Sequence, residues 1–184
     1  MNDTLKSIMG RYSCRAYTGA PLTSEQIKAI SDAALAAPSA VNRQPWQIIV
    51  ISDKAFIEEM DAEGMRILAE AEDKTTYERM MSRGGKLFYN APCLVIVAAS
   101  DDSRGVALDC GILSQNVSLA AYSLGLGSCI VGMAAVPLGG PKGAEFKARM
   151  KFPEGYSFGM GILIGAAASE GKAHALVPDK LTVL

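Results

Sequence analysis

Residues 37–47 run Ala37-Pro38-Ser39-Ala40-Val41-Asn42-Arg43-Gln44-Pro45-Trp46-Gln47, and here the chain changes from a helical to a strand period. Upstream, Thr23 with Gln26 three residues on forms a capping box, and Ile27, Ile30 and Ala34 recur on one helical face. Pro38 closes that helix, because a proline pushes its predecessor out of helical geometry. Downstream, Trp46–Ile51 (WQIIVI) has the length and β-branching of a strand. Between the two lie two prolines, two side-chain amides, an arginine and the sole tryptophan, far more fixed polar chemistry than a turn requires.

Outward from this stretch, residues 4–9 predict a short helix capped by Asp3, with Leu5, Ile8 and Met9 on one side. Ser52 and Asp53 cap a third helix that runs to about residue 71. Residues 72–85 are polar, with Met80 and Met81 before Gly84-Gly85, and predict a helix–loop region. Residues 94–98 form a nearly continuous apolar strand buried on both faces. A long helix rich in small residues spans 106–124 and ends at Gly125. A short strand at 128–131, a short helix at 144–150 and a last buried strand at 160–164 follow. Residues 171–184 carry Leu176, Val177, Leu181 and Val183, too apolar for a free tail, and predict packing against something. Helices first, then strands alternating irregularly with helices, argue for an α+β fold. No repeat or linker divides residues 1–184, so one domain is expected.

The composition is that of a globular chain, 49% hydrophobic and 20% charged over 184 residues. A net charge of −1 leaves no electrostatic footprint for nucleic acid or an anionic membrane. The longest apolar runs, 93–99 and 159–168, fall short of the roughly 20 residues of a membrane span. The polar start lacks the apolar core of a signal peptide, which predicts a cytoplasmic protein. Cys14, Cys93, Cys110 and Cys129 are scattered without a C-x-x-C pair, which argues for packed thiols rather than an iron–sulfur or zinc site. Gly125-Leu126-Gly127 and Gly159-Met160-Gly161 fail the dinucleotide fingerprint, since the first ends a helix and the second precedes a strand. His174 is the sole histidine, leaving one candidate catalytic base, in a tail. Glu58, Glu59, Glu70 and Glu72 lie on helix faces as solvated surface.

Two stretches carry chemistry. In Arg11-Tyr12-Ser13-Cys14-Arg15, two planar guanidinium forks with a hydroxyl between them suit a phosphate; taken alone, the stretch reads more simply as a solvated basic turn. In the 38–46 loop, the amides of Asn42 and Gln44 match the alternating donors and acceptors of a flavin or pyrimidine edge. An ordinary connector with Trp46 in the core explains that loop equally well, and spacing alone favours neither.

The two stretches together, R-x-S-x-R, a capped helix and then A-P-S-x-x-N-x-Q-P-W, resemble the nitroreductase family of FMN-dependent oxidoreductases. Phe88-Tyr89-Asn90-Ala91-Pro92 is similar to the family's aromatic-x-A-P, and Ser123-Leu124-Gly125-Leu126-Gly127-Ser128-Cys129 to its S-L-G-L-G-S/T-C. The resemblance runs in order from about residue 5 to 180.

It implies an intertwined homodimer of α+β subunits, each with a mostly antiparallel sheet enclosed by helices, and FMN in the subunit interface. Arg11 and Ser13, with Tyr12 between them, would hold the phosphate end, and Arg15 the ribityl chain and pyrimidine. Pro38, Ser39, Ala40 and Asn42 would reach the flavin from the partner, with Gln44 supporting their loop. Ile130, Val131, Gly132 and Met133 would line the isoalloxazine, with the Gly132 backbone near N5. Lys172 and His174 fall at the family's C-terminal basic position, where many members have Arg instead of His174; Gly165-Ala166-Ala167 stands where many have G-Y-P. A histidine there would make phosphate affinity partly pH-dependent. The implied activity is ping-pong hydride transfer from NADH or NADPH through FMN to nitroaromatics, quinones or similar flat acceptors, with no catalytic side chain. Implied alternatives are an FMN store or sensor with little turnover, or an offshoot acting on flavin itself or on a halogenated or unsaturated substrate.

Overall fold

The structure, a computed structural model, describes residues 1–183. The elements in chain order are α1 (Asp3–Gly10), α2 (Ser24–Leu35), β1 (Trp46–Ile51), α3 (Lys54–Glu70), α4 (Thr75–Met81), β2 (Cys93–Ser100), α5 (Val106–Ser123), β3 (Gly127–Val131), α6 (Ala135–Gly139), α7 (Gly143–Arg149) and β4 (Tyr156–Gly165). Their boundaries follow local chemistry. Thr23 and Gln26 make the reciprocal capping-box bonds that open α2. Asp53 caps α3 by accepting the Phe56 N–H at 3.2 Å. Beyond α5, Gly125 takes φ +73°, the left-handed geometry of a helix C-cap, which accounts for the first false dinucleotide match.

The strands form one sheet, ordered β1-β2-β4-β3 and antiparallel throughout. The central strand β2 is buried at every position but Ser100, and its alternating side chains feed two cores. Leu94 and Ile96, with Leu163 of β4 and Val131 of β3, meet Phe56, Met60, Leu138 and Phe146 from α3, α6 and α7. On the other face Cys93, Val95 and Val97, with Ile162 and Ile164, meet Ile30 and Ala34 of α2 and Leu113 and Val117 of α5. The sheet is thus enclosed by helices, as expected. All four cysteines are buried and free. Among the described residues, no helix is long and apolar enough to cross a membrane, and no cluster of potential ligands could hold a metal.

Three details differ from the sequence reading. Asn2, not Asp3, caps α1 by accepting the Leu5 N–H at 2.9 Å, while Asp3 pairs with Lys6 inside the first turn. The second glycine pair does not precede the last strand but lies within it. A five-residue helix, α6, contains Pro137, which a first turn tolerates because its N–H has no helical partner there. Leu176, Val177, Leu181 and Val183 stand exposed, so this chain itself does not cover them.

Candidate functional site

After α1 the chain turns extended at Arg11 (φ −62°, ψ 145°) and is stitched into the sheet margin. Ser13 bridges Ser128 in parallel, and the Cys14 N–H donates to the Ser128 carbonyl at 2.8 Å. Beyond it, the Thr18 N–H donates to Ala166 at 3.0 Å and the Ala168 N–H to Ala16 at 2.9 Å. The buried Tyr17 hydroxyl lies within reach of the carbonyls of Cys14 (3.1 Å) and Leu163 (3.3 Å). The extended segment buries Cys14 between exposed Ser13 and Arg15, as the alternation of an extended chain dictates, and Tyr17 is buried three positions on, where that alternation breaks.

This arrangement leaves positive charge unmatched. The Arg11 Nε is buried and has no hydrogen-bond partner among the described residues; a buried donor left so costs about 1–3 kcal/mol. Arg15 reaches only the Ser13 carbonyl, at 3.5 Å. Among the described residues, no carboxylate pairs with Arg11, Arg15 or Lys172. Burial pushes the Cys129 thiol pKa up, opposed by the nearby Arg15 and Arg11 guanidinium groups and the Ser13 hydroxyl, so these four side chains are neighbours. Burial likewise raises the Tyr12 phenol. Tyr12, Ser13, Cys14, Arg15, Ser169 and Lys172 line a cavity of about 370 Å3. His174 is exposed and does not line it, nor does Arg11, which precedes Tyr12 in the chain. A larger cavity of about 490 Å3 runs along β1 to Arg149–Lys151, and none of the residues predicted from sequence lines it.

Four further predicted residues continue from the same strand. Ile130 is exposed, Val131 buried, Gly132 exposed and Met133 half-buried, and the Gly132 carbonyl accepts the Ala135 N–H at 3.0 Å at the entry to α6. Strand rise puts Gly132 about 13 Å from Ser128.

The 38–44 loop is built differently. Val41, Asn42 and Gln44 have φ of +47°, +55° and +49°, a left-handed run that costs about 1–2 kcal/mol per non-glycine residue. Val41 is the harshest case, being β-branched and 84% exposed. Internal bonds hold the shape: the Asn42 N–H to the Ser39 carbonyl (3.0 Å) and the Gln44 N–H to Ser39 Oγ (2.8 Å). The Gln44 amide donates to Asn42 Oδ1 at 2.9 Å, leaving the Asn42 side-chain NH2 and the Gln44 side-chain Oε1 unpartnered among the described residues. Pro38, Ala40, Asn42 and Gln44 are all exposed.

The two halves do not meet within one chain. The loop enters β1 at one margin of the sheet, the arginine segment lies on β3 at the other, and three strand spacings separate them by about 14 Å. Sequence reasoning missed three buried carboxylates: Glu63 pairs with Arg66 on its own helix, and Asp61 and Asp109 reach other segments. Asp61 accepts the Phe88 N–H at 2.6 Å and braces the segment whose Tyr89 carbonyl accepts the Tyr17 N–H; burial raises its pKa. Asp109 accepts the Ala40 N–H at 3.2 Å. Asp61 and Asp109 occupy the apolar phase of their helices, in step with Ile57 and with Leu113 and Val117.

Comparison with known proteins places this arrangement. The Nitroreductase family profile matches residues 8–165. A crystal structure of a nitroreductase with bound FMN from Desulfitobacterium hafniense DCB-2 is 43% identical, with a TM-score of 0.96 over 100% of this chain and 99% of that one. An FMN reductase [NAD(P)H] of Bacillus subtilis is 25% identical over 205 residues, covering 98% of this chain and 72% of its own length. A curated relative from Methanothermobacter thermautotrophicus is 31% identical over 135 residues and 71% of this chain, which spans 61% of that relative's length. With a family match over most of its length and a neighbour alike in both sequence and fold, the chain belongs to the nitroreductase family.

Proposed function

We propose that this chain is an NAD(P)H-dependent FMN oxidoreductase, one domain over residues 1–184, acting as a homodimer whose cofactor sites are each completed by two copies. The observation that carries it is the buried, unpartnered Arg11 Nε, together with the unpaired Arg15 and Lys172 that line one cavity with Ser13. A phosphate dianion is the ligand that such donors fit, with charge-assisted hydrogen bonds stronger than neutral ones. The name and bound ligand of the Desulfitobacterium neighbour support FMN, and the Bacillus reductase supports a nicotinamide donor.

In this reading Arg11, Ser13 and Lys172 hold the phosphate, Tyr12 walls the cavity, and Arg15 stands toward the ribityl chain and pyrimidine. Ile130, Val131, Gly132 and Met133 form the strand end against the ring. Bound FMN supplies two-electron exchange, first with NADH or NADPH and then with a flat acceptor. The chain contributes position and charge: a guanidinium near the pyrimidine favours the electron-rich cofactor, and Gly132 leaves room for a planar partner. Asn42 and Gln44 of the second copy offer a donor and an acceptor to the ring edge, with Pro38, Ser39 and Ala40 beside them.

A second copy is supported by α5, which lacks a polar face; Leu108 on it is 71% exposed, and Leu5, Ile8 and Met9 of the neighbouring α1 are exposed too. Such exposed apolar surface marks an interface. Purified protein is expected to be yellow, to release FMN on denaturation and to bleach on anaerobic mixing with NADH or NADPH. A colourless protein that takes up no FMN overturns the proposal. A yellow protein that bleaches slowly or not at all overturns the oxidoreductase part and leaves a flavin store or sensor.

A further inference from the structure

We propose that Asp109 is the positioning residue for the ring-reading half of the site: its buried carboxylate anchors the 39–44 loop so that Asn42 and Gln44 face the cofactor. The role rests on the reading above, that this loop meets the flavin ring. Asp109 is 4% exposed, the fourth residue of α5, and Oδ1 accepts the N–H of Ala40, 69 positions earlier in the chain. Among the described residues no cation pairs with it. It stands in the first turn of α5, the end of a helix dipole that favours an anion.

The other hydrogen bonds of residues 38–44 are internal to the loop or pass to the adjoining Trp46. They set its shape, including the left-handed run, but not where it stands. Among the described residues, the bond to Asp109 is the only one from this loop to an element beyond β1. That element is α5, the helix with the exposed apolar face. The loop is therefore fixed to the helix that would dock the second copy.

The test separates the ring half from the phosphate half by titrating both FMN and riboflavin, which lacks the phosphate. Asp109→Leu removes the acceptor; Asp109→Asn keeps one at the same place. Ala40→Pro removes the donor and leaves the carboxylate intact, at a position where Ser39 is already extended (φ −140°, ψ 160°), as a proline requires of its predecessor. Asp109→Leu and Ala40→Pro are each expected to weaken FMN and riboflavin by the same factor, about tenfold, the scale of one hydrogen bond to a charged group. The double variant adds nothing further, and amide exchange of residues 40–44 accelerates in each. Asp109→Asn stays near wild type by all three measures. Should Asp109→Leu fail to fold, Ala40→Pro carries the test alone. Riboflavin affinity unchanged in Ala40→Pro, or a loss confined to FMN, overturns the role of Asp109 while leaving the flavin reading intact. A wild-type protein that takes up neither flavin overturns both, and is distinguished by that control.

Discussion

The segment around Arg11–Arg15 and the loop at 38–44 both carry polar groups that lack partners within the chain, yet they are held in opposite ways. The first is braided into the sheet margin by backbone bonds to Ser128, Ala166 and Ala168, with Cys14 and Tyr17 buried beneath it. The second is exposed, left-handed at three non-glycine residues and, among the described residues, hydrogen-bonded beyond β1 only to one carboxylate. A phosphate site needs fixed charge, and a sheet margin provides it. A ring-reading loop that serves another copy needs reach, and its strain is tolerable where binding supplies the contacts that one chain lacks.

The contrast is broken most strongly at Arg11. Arg11→Ala is expected to weaken FMN by about 1.5–3 kcal/mol, roughly ten- to hundredfold, the range for hydrogen bonds to charged groups. Riboflavin affinity should hold, and melting of the FMN-free protein should not fall, because the variant removes a buried donor without a partner. Fluorescence titration and thermal melts check both; equal losses for the two flavins would remove Arg11 from the phosphate.

Gly127→Ala attacks the braid itself. A Cβ there would lie 2.7 Å from Cys14 Sγ and 2.8 Å from its Cβ, so the 11–15 segment must shift, at a cost of about 1–3 kcal/mol typical of overpacking. Lower stability together with weaker FMN is the expected result, and an unperturbed melt would show that the braid yields freely.

The smallest effect has the opposite sign. Val41→Gly relieves the left-handed strain but frees the unfolded chain, for a net gain of about 0.5–1 kcal/mol in the FMN-free protein. A loss of stability on denaturant unfolding would mean that Val41 already packs in a way its exposure denies.

Much of this was legible in the sequence. WQIIVI forms β1 with the expected bounds, because β-branching and the flanking proline and capping residues leave little choice. The strand at 94–98 and the helix at 106–124 were found with ends shifted by one or two residues. Beyond these, α6 hid behind Pro137, whose place in a first turn is permitted but leaves no periodic signal. Asp61 and Asp109 were passed over because acidic residues default to solvent; their phase with the apolar residues of α3 and α5 was the signal that could have found them. The arginines, amides and Lys172 were named from motif order, but that β1 and β3 lie at opposite margins of the sheet is a product of strand order, which local sequence does not encode. The tail at 171–183 was rightly read as apolar, and a single chain offers it no cover.

The central claim is that one cofactor site draws on two copies, with charge from one and amides from the other. Its most direct test is complementation: chains carrying Arg11→Ala and chains carrying Asn42→Ala, each bleached of FMN alone, are co-refolded and the flavin content of the mixed dimers is measured. The account predicts recovery of about one tightly held FMN per mixed dimer, since one of its two sites then combines intact halves. Mixed dimers that hold no more FMN than either parent would contradict it, and would return both halves to a single chain.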